Sequence, residues 1–141
     1  MQAKSFSKKE HIQSLWSGYG SIDRFNFEGG KHKQLVIKHI DLRQAEQHPR
    51  GWNTNLSHQR KIRSYEVETA WYKQYADRCT ADCKVPNMVG VFKKGQEQWI
   101  ILEDLNLKYP DKLTQIDPDQ IKVCLHWLAH FHATFSQEEP T

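Results

Sequence analysis

Through the first hundred residues the apolar positions come in short runs broken by turn residues, and only after that does a helical period dominate. "SIDRFNF" carries Ile22, Phe25 and Phe27, "EGGKHK" follows as a Gly-Gly turn, and "QLVIKHI" is a β-branched run. Together they predict a β-hairpin. "NMVGVF" and "QWIILED" are two further apolar runs separated by "KKGQE", a second hairpin. Ahead of the first hairpin, "HIQSLWSGYGS" reads either as a strand running into a glycine-containing turn or as a short helix over 7–16. Between the hairpins lie a polar loop over about 41–55 and a helix over about 57–78. In that helix Ile62, Tyr65, Thr69, Tyr72 and Ala76 step by three or four and share one face, with Glu68 beside it. Asp117 as cap, Pro118 in the first turn and Gln120 three residues after the cap announce a last helix. Its expected buried stripe is Ile121, Cys124, Leu125, Leu128, His132 and Phe135. The order of elements predicts an α+β fold: a five-stranded antiparallel sheet with one packed helix, then a linker and a C-terminal helix.

Composition narrows the picture. At 141 residues the chain has the length of one domain. A mean hydropathy of −0.81 implies a modest core, with apolar surface left over for a partner. The formal charge of +3 is too small for a general nucleic-acid binder. Basic residues do cluster in "HPRGWNTNLSHQRKIR", where Arg50, Arg60, Lys61 and Arg63 lie near Trp52. A solvated loop is the default for that stretch, and a grip on an acidic substrate, a neighbouring lobe or nucleic acid is the alternative. Three cysteines, no secretory h-region and no membrane-length apolar run fit a reducing, cytoplasmic setting and no membrane partner. Cys79 and Cys83 have a C-x₃-C spacing without a second Cys/His pair nearby.

The candidate chemistry begins at Lys38. Strand alternation puts it on the same side as Val36 and Ile40. If that side is the buried one, the ammonium must snorkel to water or meet a carboxylate. Glu68, on the helix that packs on the sheet, is the natural partner. A solvated lysine on an edge strand is the alternative.

An antiparallel sheet, an inward lysine on the third strand, a glutamate on the next helix and an acid-ended fifth strand resemble the small lobe of a kinase. More specifically, "LVIKHI", "YEVETAWY", "WIILEDL" and "LAHFHATF" resemble the small-molecule kinases of the aminoglycoside phosphotransferase, choline kinase and ecdysteroid-kinase-like families, over about residues 11–135. The resemblance implies an ATP-binding lobe over 1–105, and a hinge with the first helix of a mostly absent C-lobe over 106–141. It implies that Lys38 neutralises nucleotide phosphates and Glu68 holds it. Leu102 would line the back of the pocket, while Glu103 and Leu105 would offer the hinge carbonyl and amide to adenine. Glu103 and Asp104 would then mark where the strand reaches solvent and the cleft, or an ordinary strand end. Gly18, Gly20 and Ser21 would cover the phosphates, although the same glycines suit a plain hairpin turn, and neither a P-loop nor a full G-x-G-x-x-G is present.

In those families the aspartate that deprotonates the acceptor hydroxyl and the Mg²⁺ ligands follow the last helix seen here. The chain alone is therefore expected to lack catalysis, and it yields no catalytic or metal residue. "HID" at 39–41 lacks the asparagine of a catalytic loop, and "DPD" at 117–119 is a helix start. The partners implied are a nucleotide and a small hydroxyl-bearing acceptor. A non-catalytic module that self-associates through its exposed cleft face is the second reading. A metal- or nucleic-acid-binding domain is the third: His126 and His130 are four apart on one helical face, but the glutamate of H-E-x-x-H is missing and no third ligand is evident. His132 belongs by resemblance to a packing position.

Overall fold

The computed structural model describes residues 4–43 and 55–136. The chain forms β1 (Ser5–Ser14), β2 (Gly20–Glu28), β3 (Gln34–Asp41), α1 (Asn55–Gln74), β4 (Met88–Lys94), β5 (Glu97–Glu103) and α2 (Pro118–Phe135). The strands build one antiparallel sheet in the order β1-β2-β3-β5-β4. This is the expected α+β architecture. The ambiguous N-terminal stretch is a strand, running from Ser5 opposite Glu28 to Ser14 opposite Ser21. Its side chains are mostly exposed. A helix there would have had little apolar surface with which to dock, whereas a charged edge strand needs only the ladder to β2 and resists pairing with other chains.

Helix α1 covers one face of the sheet. Ile40, Ile100 and Leu102 from β3 and β5 meet Leu15, Tyr19 and Tyr65 in the core, flanked by Ile22, Leu42, Tyr72, Met88 and Val91. The residues that step along α1 behave as the period requires: Tyr65 and Thr69 are buried and Tyr72 packs against the core. The α-helix ends at Gln74, short of 78, and the chain tightens into a 3-10 turn at Ala76–Arg78 that still buries Ala76. Polar bonds help orient α1. Gln98 Nε2 donates to Thr69 Oγ1 at 2.5 Å, and Tyr19 Oη shares a 2.8 Å hydrogen bond with His58 Nδ1.

Helix α2 starts as predicted. The Gln120 amide donates to Asp117 Oδ1 at 2.8 Å, and the Asp117 amide to Gln120 Oε1 at 2.9 Å, a complete capping box. Its expected buried stripe is corrected. Ile121, Cys124, Leu125, Leu128 and His132 are exposed, and only Phe135 of the six is half-buried. Trp127, Phe131 and Phe135 form the packed side instead. Phe131 and Phe135 lie 5.9 and 6.2 Å from Trp71 on α1, and Trp127 Nε1 donates to the Lys84 carbonyl at 3.1 Å. The apolar residues of the helix span more than half of its circumference, so its period alone could not choose which part packs; the aromatic rows on α1 and α2 did.

The turn between β1 and β2 is held over the end of β3. Leu15 N–H donates to Gly20 O at 2.8 Å and Asp41 N–H to Tyr19 O at 2.6 Å. Gly20 has φ +141°, and a Cβ there would lie 2.0 Å from the His39 carbonyl oxygen, whereas Gly18 (φ +72°) faces open space. Gly20→Ala is expected to destabilise the chain by about 3 kcal/mol or more and Gly18→Ala by about 1–2 kcal/mol, read from urea unfolding midpoints. Equal losses at the two positions would contradict this account of the turn.

Candidate functional site

Lys38 and Glu68 meet. Lys38 stands between Ile22 of β2 and Ile100 of β5 in the two ladders, so its side chain rises on the face that α1 covers. Its ammonium donates to both carboxylate oxygens of Glu68, at 2.8 and 2.6 Å. The side chains are 13% and 31% exposed, so the pair is sheltered from solvent without being sealed from it. The Tyr65 ring lies beneath, 5.2 Å from Lys38 Nζ, and Lys61 Nζ lies at the same distance from that ring. Tyr65 Oη is buried without a hydrogen-bond partner among the described residues. Burial, with the Glu68 and Tyr19 charges added, pushes its pKa up to about 12.

The glycine turn sits at the same end of the sheet. Gly20 is opposite Ile40, and Ile22 is opposite Lys38. Gly20 itself is required by the close approach to β3. The Ser21 hydroxyl is engaged, donating to Asp23 Oδ2 at 2.6 Å. Burial pushes the Asp23 carboxyl up, but hydrogen bonds from Lys8, Ser21 and His11 outweigh it and hold it at about 2.

The acid-ended fifth strand differs from expectation. Leu102 is buried, and Glu103 does approach the surface, where its carboxylate takes Lys84 Nζ at 2.7 Å and the Asn87 amide at 3.0 Å. Asp104 is 4% exposed and, although it borders the cavity at the end of β5, its carboxylate is taken up by a buried ion pair. Arg24 of β2, also buried, donates to it from Nε at 2.5 Å and from Nη2 at 3.2 Å, and pairs through Nη1 with Glu10. The same carboxylate caps the 3-10 turn Leu105–Leu107 by accepting from the Asn106 amide at 3.0 Å. A buried guanidinium needs this carboxylate, which is why an aspartate follows the last residue of the strand, while Glu103 serves Lys84 and the Asn87 amide. Sequence reasoning missed Arg24. Its one signal was an arginine of the same strand parity as Ile22, and the partner eighty residues away was not legible.

Leu102, Glu103 and Leu105 come together around one cavity with Arg24, Val36, Asp104 and Tyr109. Lys38, Glu68, Gly18, Gly20 and Ser21 are not among its lining residues. On the strands, Leu102 is two residues beyond Ile100, the partner of Lys38, or about 7 Å along β5. Arg60, Lys61 and Arg63 lie on α1 rather than in a loop, and Arg50 and Trp52 lie outside the described residues. His132 is exposed rather than packed. Cys79 and Cys83 gather no third metal ligand among the described residues, and no described helix is long and apolar enough to cross a membrane.

Asp104 ties stability to pH. Burial raises its pKa, but the Arg24 and Asn106 hydrogen bonds prevail and hold it below the ordinary value. A depressed folded-state value contributes stability fully present above the unfolded carboxylate pKa of about 3.9 and lost as pH falls through the folded value. Urea midpoints should therefore drop as pH falls below about 4. The drop should be shallower in Asp104→Asn, with Asp23, Asp41 and Glu103, whose carboxyls are also held below their ordinary values, supplying the remainder. At neutral pH Asp104→Ala leaves a buried guanidinium short of its main partner and is expected to cost about 3–5 kcal/mol.

No family model matches the sequence, and no curated protein matches it. Solved structures to which the chain is similar include a 2.2 Å crystal structure of WbdD, at 19% identity and a TM-score of 0.48 over 95% of this chain and 27% of that one. A co-crystal structure of WbdD with a kinase inhibitor gives 17% identity and a TM-score of 0.38 over 84% of this chain and 23% of that one. The chain thus spans about a quarter of the length of the solved chains it matches.

Proposed function

We propose that the chain is the ATP-binding part of a small-molecule phosphotransferase. The observation that carries this reading is the two-pronged Lys38–Glu68 pair joining the central strand to α1. A lysine held by a helix glutamate is pre-positioned to neutralise nucleotide phosphates, and the energy of ordering its side chain is met before ligand arrives. The turn carrying Gly18, Gly20 and Ser21, at the same end of the sheet, would cover those phosphates with backbone N–H groups. Toward the other end of β5, Leu102 would face the adenine ring, with the Glu103 carbonyl and Leu105 amide as its hydrogen-bonding edge.

The full reaction would move the γ-phosphoryl group to a hydroxyl of a small acceptor. The acceptor oxygen bonds to phosphorus, the bond to the ADP oxygen breaks, and a base takes the hydroxyl proton. The described residues do not supply that base. Asp41 is buried in an ion pair with Arg43, and Asp117 caps α2. Nor do the residues around Lys38 fit a Mg²⁺ site: Glu68, the carboxylate beside the ammonium, gives both oxygens to it. No step is assigned to a metal. By resemblance both functions belong to a helical lobe after α2.

The test is ATP binding by the 141-residue chain, followed by calorimetry or a fluorescent analogue. Lys38→Ala should weaken it by about tenfold or more while keeping the fold, because the partly exposed Glu68 left behind is solvated. Unchanged binding in that variant overturns the assignment. The chain by itself should show no transfer to any hydroxyl acceptor, and detected transfer overturns that statement.

A specific observation favours a second reading, a non-catalytic interaction module. Leu107, Leu113, Ile116, Val123 and Leu125 are all large, apolar and exposed, on α2 and the segment before it. Concentration-dependent size by light scattering together with no ATP binding would support this reading over the first.

A further inference from the structure

Between α1 and β4 the chain makes two 3-10 turns, and α2 packs across the second, Ala81–Cys83. Cys83 is fully buried, its Sγ 3.9 Å from both Thr80 Oγ1 and Thr134 Oγ1. With the Trp127 bond to the Lys84 carbonyl, these contacts set the turn in register against α2. Asp82, in the middle of the turn, is thereby brought to His126 and His130, one helical turn apart with ring centroids separated by 4.4 Å. One ligand atom from each of the three residues lies within 4.8 Å of the other two. The Asp82 carboxylate has no hydrogen-bond partner among the described residues, and the two imidazoles contact each other.

We propose that Asp82, His126 and His130 bind a divalent transition metal, zinc before others, as a clip between the α1–β4 connection and α2. Two imidazole nitrogens and one carboxylate oxygen are a borderline donor set that suits zinc and its transition-metal neighbours. Magnesium and calcium demand a shell of oxygens. Three protein ligands on an exposed rim leave the fourth tetrahedral position to water. Ligand atoms on one zinc stand roughly 3.3 Å apart, so binding draws the three side chains inward. Asp82 and His126 are exposed and His130 half-buried, and among the described residues nothing else holds their side-chain polar atoms in place. Because the ligands come from two separate elements, the metal would fasten α2 to the body of the sheet. It would also form part of the wall of a cavity that Asp82 and His126 line with Leu105, Tyr109 and Trp127. The nucleotide proposal is not needed for this site, and its failure would leave the site standing.

The experiment is zinc binding by the 141-residue chain in competition with a chromophoric chelator, paired with cobalt substitution and thermal unfolding. Expected are one zinc per chain and a cobalt spectrum of four-coordinate character without thiolate charge transfer. The melting temperature should rise with free zinc, as binding to the folded state alone requires. Asp82→Ala and Asp82→Asn should each weaken zinc by at least about tenfold, and the double variant His126→Ala/His130→Ala should abolish it. Cys79→Ser/Cys124→Ser should bind like the parent. Circular dichroism confirms that the variants fold. The proposal is overturned by absence of binding in the parent, by Asp82 variants that bind as tightly as the parent, by retention in the double histidine variant, or by loss in the cysteine variant.

Discussion

Strand β3 is paired along its length on both sides, to β2 and to β5, and that double ladder places an ammonium in the middle of the face the sheet must cover. Lys38 has Ile22 and Ile100 as its cross-strand neighbours, neither of which can answer a charge. The carboxylate has to come from the covering layer. Helix α1 supplies it while Tyr65 packs beside it and Thr69 holds Gln98. A helix with so few apolar side chains has little to orient it through packing alone. Its seat on the sheet is therefore specified by directional polar bonds added to a small apolar contact.

The same economy of apolar residues appears at the other end of the sheet. Arg24 occupies a position on the covered face, and Asp104 is buried to meet it. Such a pair adds little net stability over an apolar substitute, yet losing one partner is expensive. Its structural effect is to join the second strand to the residue at which the fifth strand ends. It thereby fixes where the chain leaves the sheet and where the turn Leu105–Leu107 begins. The proposed adenine edge, Glu103 and Leu105, brackets that anchor.

Helix α2 shows the limit of periodicity as a guide. Its apolar residues cover more than one face, and aromatic contacts to Trp71 and Tyr75 selected the row through Trp127, Phe131 and Phe135. The row expected to be buried is consequently turned outward. The selection also brings the His126 and His130 rings to Asp82, a meeting invisible at a separation of more than forty residues.

The order of the four later strands and the two helices, both hairpins, the start of α2 and the pairing of Lys38 with Glu68 were all legible in the sequence, because each rests on local period, turn chemistry or the charge that an inward lysine requires. The choice of strand over helix for β1, the buried Arg24–Asp104 pair, the face presented by α2 and the Asp82–His126–His130 grouping were decided by tertiary structure. Each depends on which distant side chains arrive at the same place. Alternation along a chain says which residues share a face; it does not say what that face will meet.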